Sequence, residues 1–412
     1  MITSYPEKIR IAEGDGNVNF YGTALDAFGR LRTTTPLTLF DSTNRYESDV
    51  HFDTSTSTSG SITHLPNEST VRMDVTTASG SEVVRQTYKV FPYQPGKSLL
   101  VLATFVMNSP KTNLRQRVGY FSTQNGVFLQ QNDSTVSLVL RSYTSGSVDE
   151  SRAVTQANWN GDKLDGTGKS GLTLDLTKSQ ILFMDFEWLG VGSVRCGFVI
   201  NGKFYIAHTF HNANLISTVY MTTATLPVRY EITNTGATAS ASSLKQICSS
   251  VLSEGGYEQV AADSVIRRTT QLSSIGTTFL PLLSIRLASD SLSSVIILND
   301  LKVLPTTSQN YEVVLLKNPT LTSASYNTTD FLHVDYDVTA TAVSGGTIIK
   351  QDYVTSTNQG TATLASADGY NFDLQIGVSL AGVSDVFTVA IRTVSGATTG
   401  DAFGSLSFYD LT

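Results

Sequence analysis

The chain has 412 residues, a length that predicts two or three domains. Hydrophobic residues make up 40% and charged residues only 15%, while about a quarter are serine or threonine, which is typical of an exterior β-rich protein with packed cores. The net charge of −7 without a dense basic cluster excludes nonspecific nucleic-acid binding, and the lack of an apolar run of 18 residues excludes a membrane span.

Residues 1–43 predict an extended N-terminal arm. Single apolar residues are scattered there among polar ones without a regular spacing, so the segment cannot form a core of its own. We expect the arm to anchor the protein by burying Phe28, Leu31 and Phe40 against the first domain or against another chain.

Residues 44–235 predict the first and larger β-sandwich, of jelly-roll or lectin-like type. About ten apolar or alternating runs, one of them at 217–221, are separated by Gly, Asn and Ser turns. Residues 99–107 are apolar nearly throughout, which predicts a central strand buried on both faces. Asn201-Gly202 is the strongest hairpin signal, because both residues tolerate the positive φ of a type I′ turn.

Residues 236–275 predict a connector, and residues 276–412 a second, smaller sandwich of eight strands. Within the connector, Ser242–Ser253 fits a short helix or a strand, and its β-branched residues and serines favour the strand. The predicted fold class is therefore all-β: two antiparallel β-sandwich domains of jelly-roll or lectin-like type with an extended N-terminal arm.

The loop 156–170 is the best candidate for ligand contact. Trp159 could stack on a pyranose ring while Asn160 and Asp162 bond its hydroxyls. The alternative, which we favour, is that Trp159 is a buried anchor and the Asn and Asp side chains cap turns. The oxygen-rich stretch 158–165 also resembles half of a calcium loop but lacks the EF-hand order.

No motif predicts catalysis, a metal site or a cofactor. The sequence has no nucleophile elbow, phosphate-binding loop or HExxH pattern. His208 and His211 are three residues apart on a predicted strand, which places them on opposite faces. Asp185 and Glu187 share one strand face, expected at the solvent side or a sheet edge rather than across a cleft.

The two cysteines, Cys196 and Cys248, are too few for a disulfide framework. We expect two reduced thiols. Together with the missing catalytic motifs, this predicts a protein that is not an enzyme and that holds no cofactor.

Several blocks of the chain resemble a family of tailed-bacteriophage virion proteins, frequent in phages of marine bacteria and cyanobacteria. They lie at 26–32 (DAFGRLR), 38–42 (TLFDS), 159–166 (WNGDKLDG), 185–195 (DFEWLGVGSVR), 226–234 (LPVRYEITN), 246–257 (QICSSVLSEGGY) and 382–390 (GVSDVFTVA). The resemblance covers nearly the whole chain. It implies a structural role and supplies no catalytic residues.

The resemblance and the composition together predict a structural component on the exterior of a tailed-phage virion, associated with the tail fibre or baseplate. A capsid decoration or head-fibre protein is the first alternative. The second is a carbohydrate-binding adhesin that recognises a host-surface glycan. Because such proteins occupy symmetric sites, we expect a homotrimer that contacts other virion proteins.

Overall fold

The computed structural model describes residues 8–13, 16–21, 35–258, 261–328, 330–355, 372–396 and 399–412. Within these residues the regular structure is β-strand, apart from single 3-10 turns at Gln156–Asn158 and Phe372–Leu374. The predicted all-β class is confirmed. A first pair of strands, β1 (Lys8–Glu13) and β2 (Gly16–Tyr21), forms an antiparallel hairpin.

The first sandwich consists of two antiparallel sheets. Its strands are β3 (Leu37–Thr43), β4 (Phe52–Ser57), β5 (Ser61–Leu65), β6 (Thr70–Val75), β7 (Glu82–Thr87), β8 (Leu99–Val106), β9 (Leu114–Phe121), β10 (Gly126–Asn132), β11 (Thr135–Ser142), β12 (Asp149–Thr155), β13 (Gln180–Phe186), β14 (Val194–Ile200), β15 (Lys203–Phe210), β16 (Val228–Asn234) and β17 (Ser242–Ser253). A seven-stranded sheet has the order β12-β11-β10-β9-β16-β7-β4. An eight-stranded sheet contains β15-β14-β13-β8-β17-β6-β5, with β3 also paired to β17.

The inward residues of the two sheets form one apolar core. Val118, Tyr120 and Tyr230 enter it from the seven-stranded sheet, and Phe105 and Met184 from the eight-stranded sheet. Each has none of its surface exposed. The alternation of inward and outward residues along each strand therefore gives one core between the sheets.

Two segments outside the predicted first sandwich belong to it. Strand β3, expected in the arm, and strand β17, expected in the connector, pair with each other from Leu37↔Ser253 to Thr43↔Cys248. Ser242–Ser253 is a strand, as its β-branched residues favoured. Phe40 of β3 is 4% exposed and packs on Phe91 with ring centroids 5.2 Å apart, so it buries against its own domain. Phe28 and Leu31 lie outside the described residues.

Strand β8 is central, but only one of its faces is buried. Its residues alternate between buried and half-buried, and Leu100, Leu102 and Val106 are the half-buried outward members. The prediction of burial on both faces was wrong because the apolar outer face of this sheet has no second layer over it among the described residues. The hairpin turn was predicted correctly: Asn201 and Gly202 have φ of 53° and 73°.

The second sandwich follows from Ala262. Its strands are β18 (Ala262–Arg267), β19 (Leu272–Ile275), β20 (Leu280–Leu287), β21 (Ile296–Pro305), β22 (Asn310–Lys317), β23 (Thr320–Thr322), β24 (Val334–Asp337), β25 (Ala342–Ser344), β26 (Thr347–Thr355), β27 (Val386–Thr393) and β28 (Gly400–Asp410). A four-stranded sheet, β18-β28-β19 with β21 on β28, faces a five-stranded sheet, β24-β20-β27-β22-β26. Strands β18 and β19, expected in the connector, belong to this domain.

Hydrogen bonds join the two sandwiches. The backbone N–H of Val378 donates to the Tyr88 carbonyl at 2.7 Å, and the Gln375 amide donates to the Val90 carbonyl at 2.8 Å. The N–H of Leu380 donates to a carboxylate oxygen of Asp53 at 2.7 Å. Residues 375–380 of the second domain thus dock on the segment that follows β7 and on β4 beside it.

Candidate functional site

Trp159 is a buried anchor of the loop 156–170. Its side chain is 2% exposed, joins the core of the first sandwich, and lies 6.5 Å from the Phe198 ring centroid. The indole N–H donates to the Val154 carbonyl at 3.1 Å. Its ring face is therefore not available for stacking on a sugar, which corrects the ligand-contact interpretation and agrees with the favoured alternative.

The residues after Trp159 pair with the edge strand β15. Backbone N–H groups of Gly161 and Asp162 donate to the carbonyls of Ala207 and Ile206 at 2.9 and 2.8 Å. The Asn160 side-chain amide both donates to the Thr209 carbonyl (2.9 Å) and accepts from the Thr209 N–H (2.8 Å). The loop thus covers the edge of the eight-stranded sheet, where an open strand could pair with another chain.

The acidic residues of the loop cap turns. Asp162 accepts backbone N–H bonds from Leu164 and Ser170 at 3.0 and 2.7 Å. Partial burial alone would raise the pKa of Asp162, but these hydrogen-bond donors lower it below its ordinary value. Asp165 accepts from the Thr167 N–H at 2.9 Å. In the described part of the chain, no three His, Cys, Asp or Glu side chains converge as a metal site would require.

The other sequence candidates are also structural. His208 is buried and accepts the Asn160 N–H at its Nδ1 (3.2 Å); burial, helped by His211 and Arg152, lowers its pKa to about 4. Asp185 alternates with the core residues Met184 and Phe186 and so lies on the outer face of the eight-stranded sheet, the predicted solvent side, but it is only 8% exposed because it pairs with Arg195.

Cys196 and Cys248 are both free thiols. Burial raises the pKa of each, well above the ordinary range for the fully buried Cys196. A protonated, fully buried thiol is a poor nucleophile, which disfavours covalent chemistry at Cys196. No helix in the described ranges is long and apolar enough to span a membrane.

A cleft of about 450 Å³, lined by both polar and apolar side chains, lies between the two sandwiches. One wall comes from the first sandwich, through β7, β16 and the β9–β10 turn. The other comes from loops of the second sandwich around residues 289–294 and 376–382. Residues lining the cleft include Gln86, Ser122, Gln124, Arg229, Asp290, Leu292, Ser293, Val378 and Leu380.

The outer face of the seven-stranded sheet continues from this cleft. It carries a small buried cluster, Phe121, Phe128 and Val139, covered by arginines. Arg141 and Arg117 lie over the Phe128 ring at 4.9 and 5.2 Å from its centroid. Stacking and ion pairing hold these arginines flat on the sheet.

Glu231 links the arginines of this face. It is 4% exposed and pairs with Arg229 (3.0 Å), Arg115 (3.2 Å) and Arg117 (3.5 Å). Burial alone would raise the pKa of Glu231, but the guanidinium groups of Arg229, Arg117 and Arg115 lower it. The carboxylate is thus held ionised, and the arginines are occupied by it rather than directed at solvent.

The outer face of the eight-stranded sheet is different, because apolar side chains predominate on it and those of β13 and β15 are partly exposed. The strand register places Ile206, Gly197, Phe183 and Leu102 in one row across β15, β14, β13 and β8. Phe204, next to this row, is 55% exposed, and its ring meets Phe183 edge-on with centroids 5.0 Å apart.

Further exposed side chains extend this surface. Ile181 and Ile206 are each 37% exposed. Position 197 in this row has no room for a side chain, because a Cβ added to Gly197 would lie 2.8 Å from the Phe183 ring. We call Ile181, Phe183, Val199, Phe204, Ile206 and Leu102 the apolar face; Ile181, Phe204 and Ile206 are exposed, Leu102 and Val199 are half-buried, and Phe183 is buried beneath them.

No family model matches the chain, and no curated protein matches it. Solved structures of similar fold include the carbohydrate recognition domain of Emp47p (10% identity, 53% of this chain, 96% of that chain, TM-score 0.33), the CBM2 module of Lactobacillus casei BL23 phage J-1 evolved Dit (7%, 55%, 100%, 0.35) and peanut lectin (12%, 53%, 98%, 0.32). At these TM-scores the likenesses carry no information on the function or ligand of this chain.

Sequence reasoning did not identify the cleft or the apolar face. The cleft residues come from segments more than 100 positions apart and carry no shared motif. The apolar face did leave a signal: the run in β8, apolar except for Thr104, has more apolar residues than a sheet buried on one face needs. An apolar run of this kind indicates either a strand buried on both faces or an exposed apolar face, and only the topology shows whether a second layer covers the sheet.

Proposed function

We propose that the protein is a non-enzymatic structural component on the exterior of a tailed-phage virion, associated with the tail fibre or baseplate. The resemblance of seven sequence blocks to virion proteins supports the location. The sequence carries no nucleophile elbow, phosphate-binding loop or HExxH pattern, and for this reason we propose a structural rather than a catalytic role.

The apolar face is the observation that supports assembly of the protein into an oligomer. Contiguous exposed apolar surface on a soluble domain marks an interaction site, because water contact with it is unfavourable. Phe204 is exposed and its ring rests on the buried Phe183, so it gives the face a supported aromatic centre of the kind that anchors protein interfaces. The covered β15 edge directs contact to the face of the sheet rather than to strand continuation.

The partner on this face in our proposal is another copy of the chain, within a homotrimer. Asp185 and Arg195 form an ion pair beside the apolar face, so its border carries both signs of charge and does not repel a second copy. Other virion proteins would hold the trimer on the particle.

The first test is the position of the protein in the particle. Mass spectrometry of gradient-purified phage should find the chain in a copy number divisible by three, and gold-labelled antibody should mark the tail. Labelling of the capsid surface would instead support the alternative of a decoration or head-fibre protein. Absence from purified particles would contradict the proposal.

The second test concerns assembly. Light scattering of the purified protein should show the mass of three 44.4-kDa chains. Phe204→Ser should shift this to monomer without lowering the melting temperature, because the side chain is half exposed. Leu215→Ser removes a 71% exposed apolar side chain elsewhere and is the matched control. A trimer unaffected by Phe204→Ser would show that the interface lies on another surface.

A further inference from the structure

We propose that the cleft between the two sandwiches binds a neutral saccharide. This inference does not depend on where the protein sits in a particle. It rests on the lining chemistry, the charge state and the fixed geometry of the cleft, and each of these can be tested on the purified chain.

The lining chemistry matches a polyhydroxylated ligand. Exposed Gln124 of the first domain and exposed Asp290 and Ser293 of the second line the same cleft, so amide, carboxylate and hydroxyl groups are available to one ligand. Sugar hydroxyls both donate and accept, so they need such mixed partners. Leu292 and Leu380 add apolar contact for the C–H face of a pyranose ring.

The charges favour a neutral ligand over an anion. Arg229 lines the cleft, but its Nε and Nη2 donate to Glu231 (3.2 and 3.0 Å) and its Nη1 donates to Gln86 (3.0 Å). The guanidinium is therefore already neutralised and oriented. Asp290 leaves an exposed carboxylate in the cleft, which would repel an acidic saccharide.

The cleft is held in shape before a ligand arrives. The bonds from Val378 to Tyr88 and from Leu380 to Asp53 fix the second-domain wall on the first domain, and Val378 and Leu380 themselves line the cleft. A fixed site loses less conformational freedom on binding than a mobile one. Its volume of about 450 Å³ lies within the range of small-molecule sites, roughly 300–1,000 Å³.

The experiment uses the full chain on an array of defined oligosaccharides, both neutral (hexose and N-acetylhexosamine) and acidic (uronate and sialate). We expect binding to one or more neutral probes. Asp290→Ala and Gln124→Ala should each weaken it at least tenfold, because each removes a polar partner. Ser293→Trp should abolish it by filling the cleft. All three side chains are exposed, so the melting temperature should stay within 2 °C.

Asp263→Ala is the matched control, since it removes an exposed carboxylate on β18 away from the cleft and should leave binding unchanged. The proposal is overturned if no neutral probe binds at millimolar concentration, if only acidic probes bind, or if binding survives Ser293→Trp. Failure here leaves the particle-location and assembly tests untouched, so the two proposals can be rejected separately.

Discussion

Replacing Trp159 by alanine should destabilise the first sandwich strongly. The indole is 2% exposed and packs in the core, and truncation of a buried Trp costs about 3–5 kcal/mol. For a domain of this size about 1 kcal/mol lowers the melting temperature by roughly 2–4 °C. A loss of about 4 kcal/mol therefore predicts a fall of roughly 8–16 °C in calorimetry.

The same substitution should loosen the edge of the eight-stranded sheet. Trp159 holds the segment whose N–H groups, from Gly161 and Asp162, bond to β15. Hydrogen exchange at these two amides should accelerate, and the exposed β15 edge should make the variant more prone to aggregate.

Trp159→Phe is the control for this reasoning. It keeps an aromatic ring in the core but removes the N–H that bonds to Val154, so it should cost only about 1 kcal/mol. An unchanged melting temperature in Trp159→Ala, together with lost saccharide binding, would refute the anchor assignment and restore Trp159 as a ligand contact.

Three further predictions follow from single side chains. Gly161→Ala places a Cβ 2.2 Å from the Ile206 carbonyl oxygen and should cost about 1–3 kcal/mol in urea unfolding, whereas Gly276→Ala, with open space around it, should be neutral. The pKa of Glu231 is lower in the folded than in the unfolded chain, so its stabilisation of the fold is present above the unfolded value of 4.5 and is lost as pH falls. Glu231→Gln should therefore make stability depend less on pH in the acid range, and it should cost about 3–5 kcal/mol at pH 7. Burial, with Lys317 nearby, lowers the pKa of Lys89 to about 7. Between about pH 7 and 10.5 the unfolded chain therefore binds more protons than the folded chain, so the stability of the fold should rise with pH there. An equal rise of the melting temperature with pH in Lys89→Met would contradict this.

Local sequence signals predicted most strands and the Asn201-Gly202 turn, because both depend on neighbouring residues. They did not assign β3 and β17 to the first sandwich. Those strands pair with each other across about 200 residues, and alternation along one strand does not encode its partner. The expected strand at 217–221 is irregular, since Tyr220 and Met221 are buried as loop residues rather than in a ladder.

The features of the candidate site also divide into those that the local sequence predicts and those that depend on distant parts of the chain. The burial of Trp159 could be favoured from sequence, because aromatic residues in sandwiches usually anchor cores. The edge-covering role of Asn160 could not, since it depends on Thr209 lying beside it. The cleft depends on how two domains dock, and neither the hydroxyl-rich composition nor any motif indicates that geometry.

The pairing of β3 with β17 also sets a condition on biosynthesis. At about 5–20 residues per second, a ribosome needs roughly 10–40 s between finishing one strand and finishing the other. Closing such a loop costs about 5 kcal/mol in chain entropy, so the contact cannot form early. Strands β6 and β8 meanwhile lack the central strand that joins them. The nascent chain must therefore stay soluble as an incomplete sheet, and a chaperone that holds apolar strands would raise the yield of folded protein.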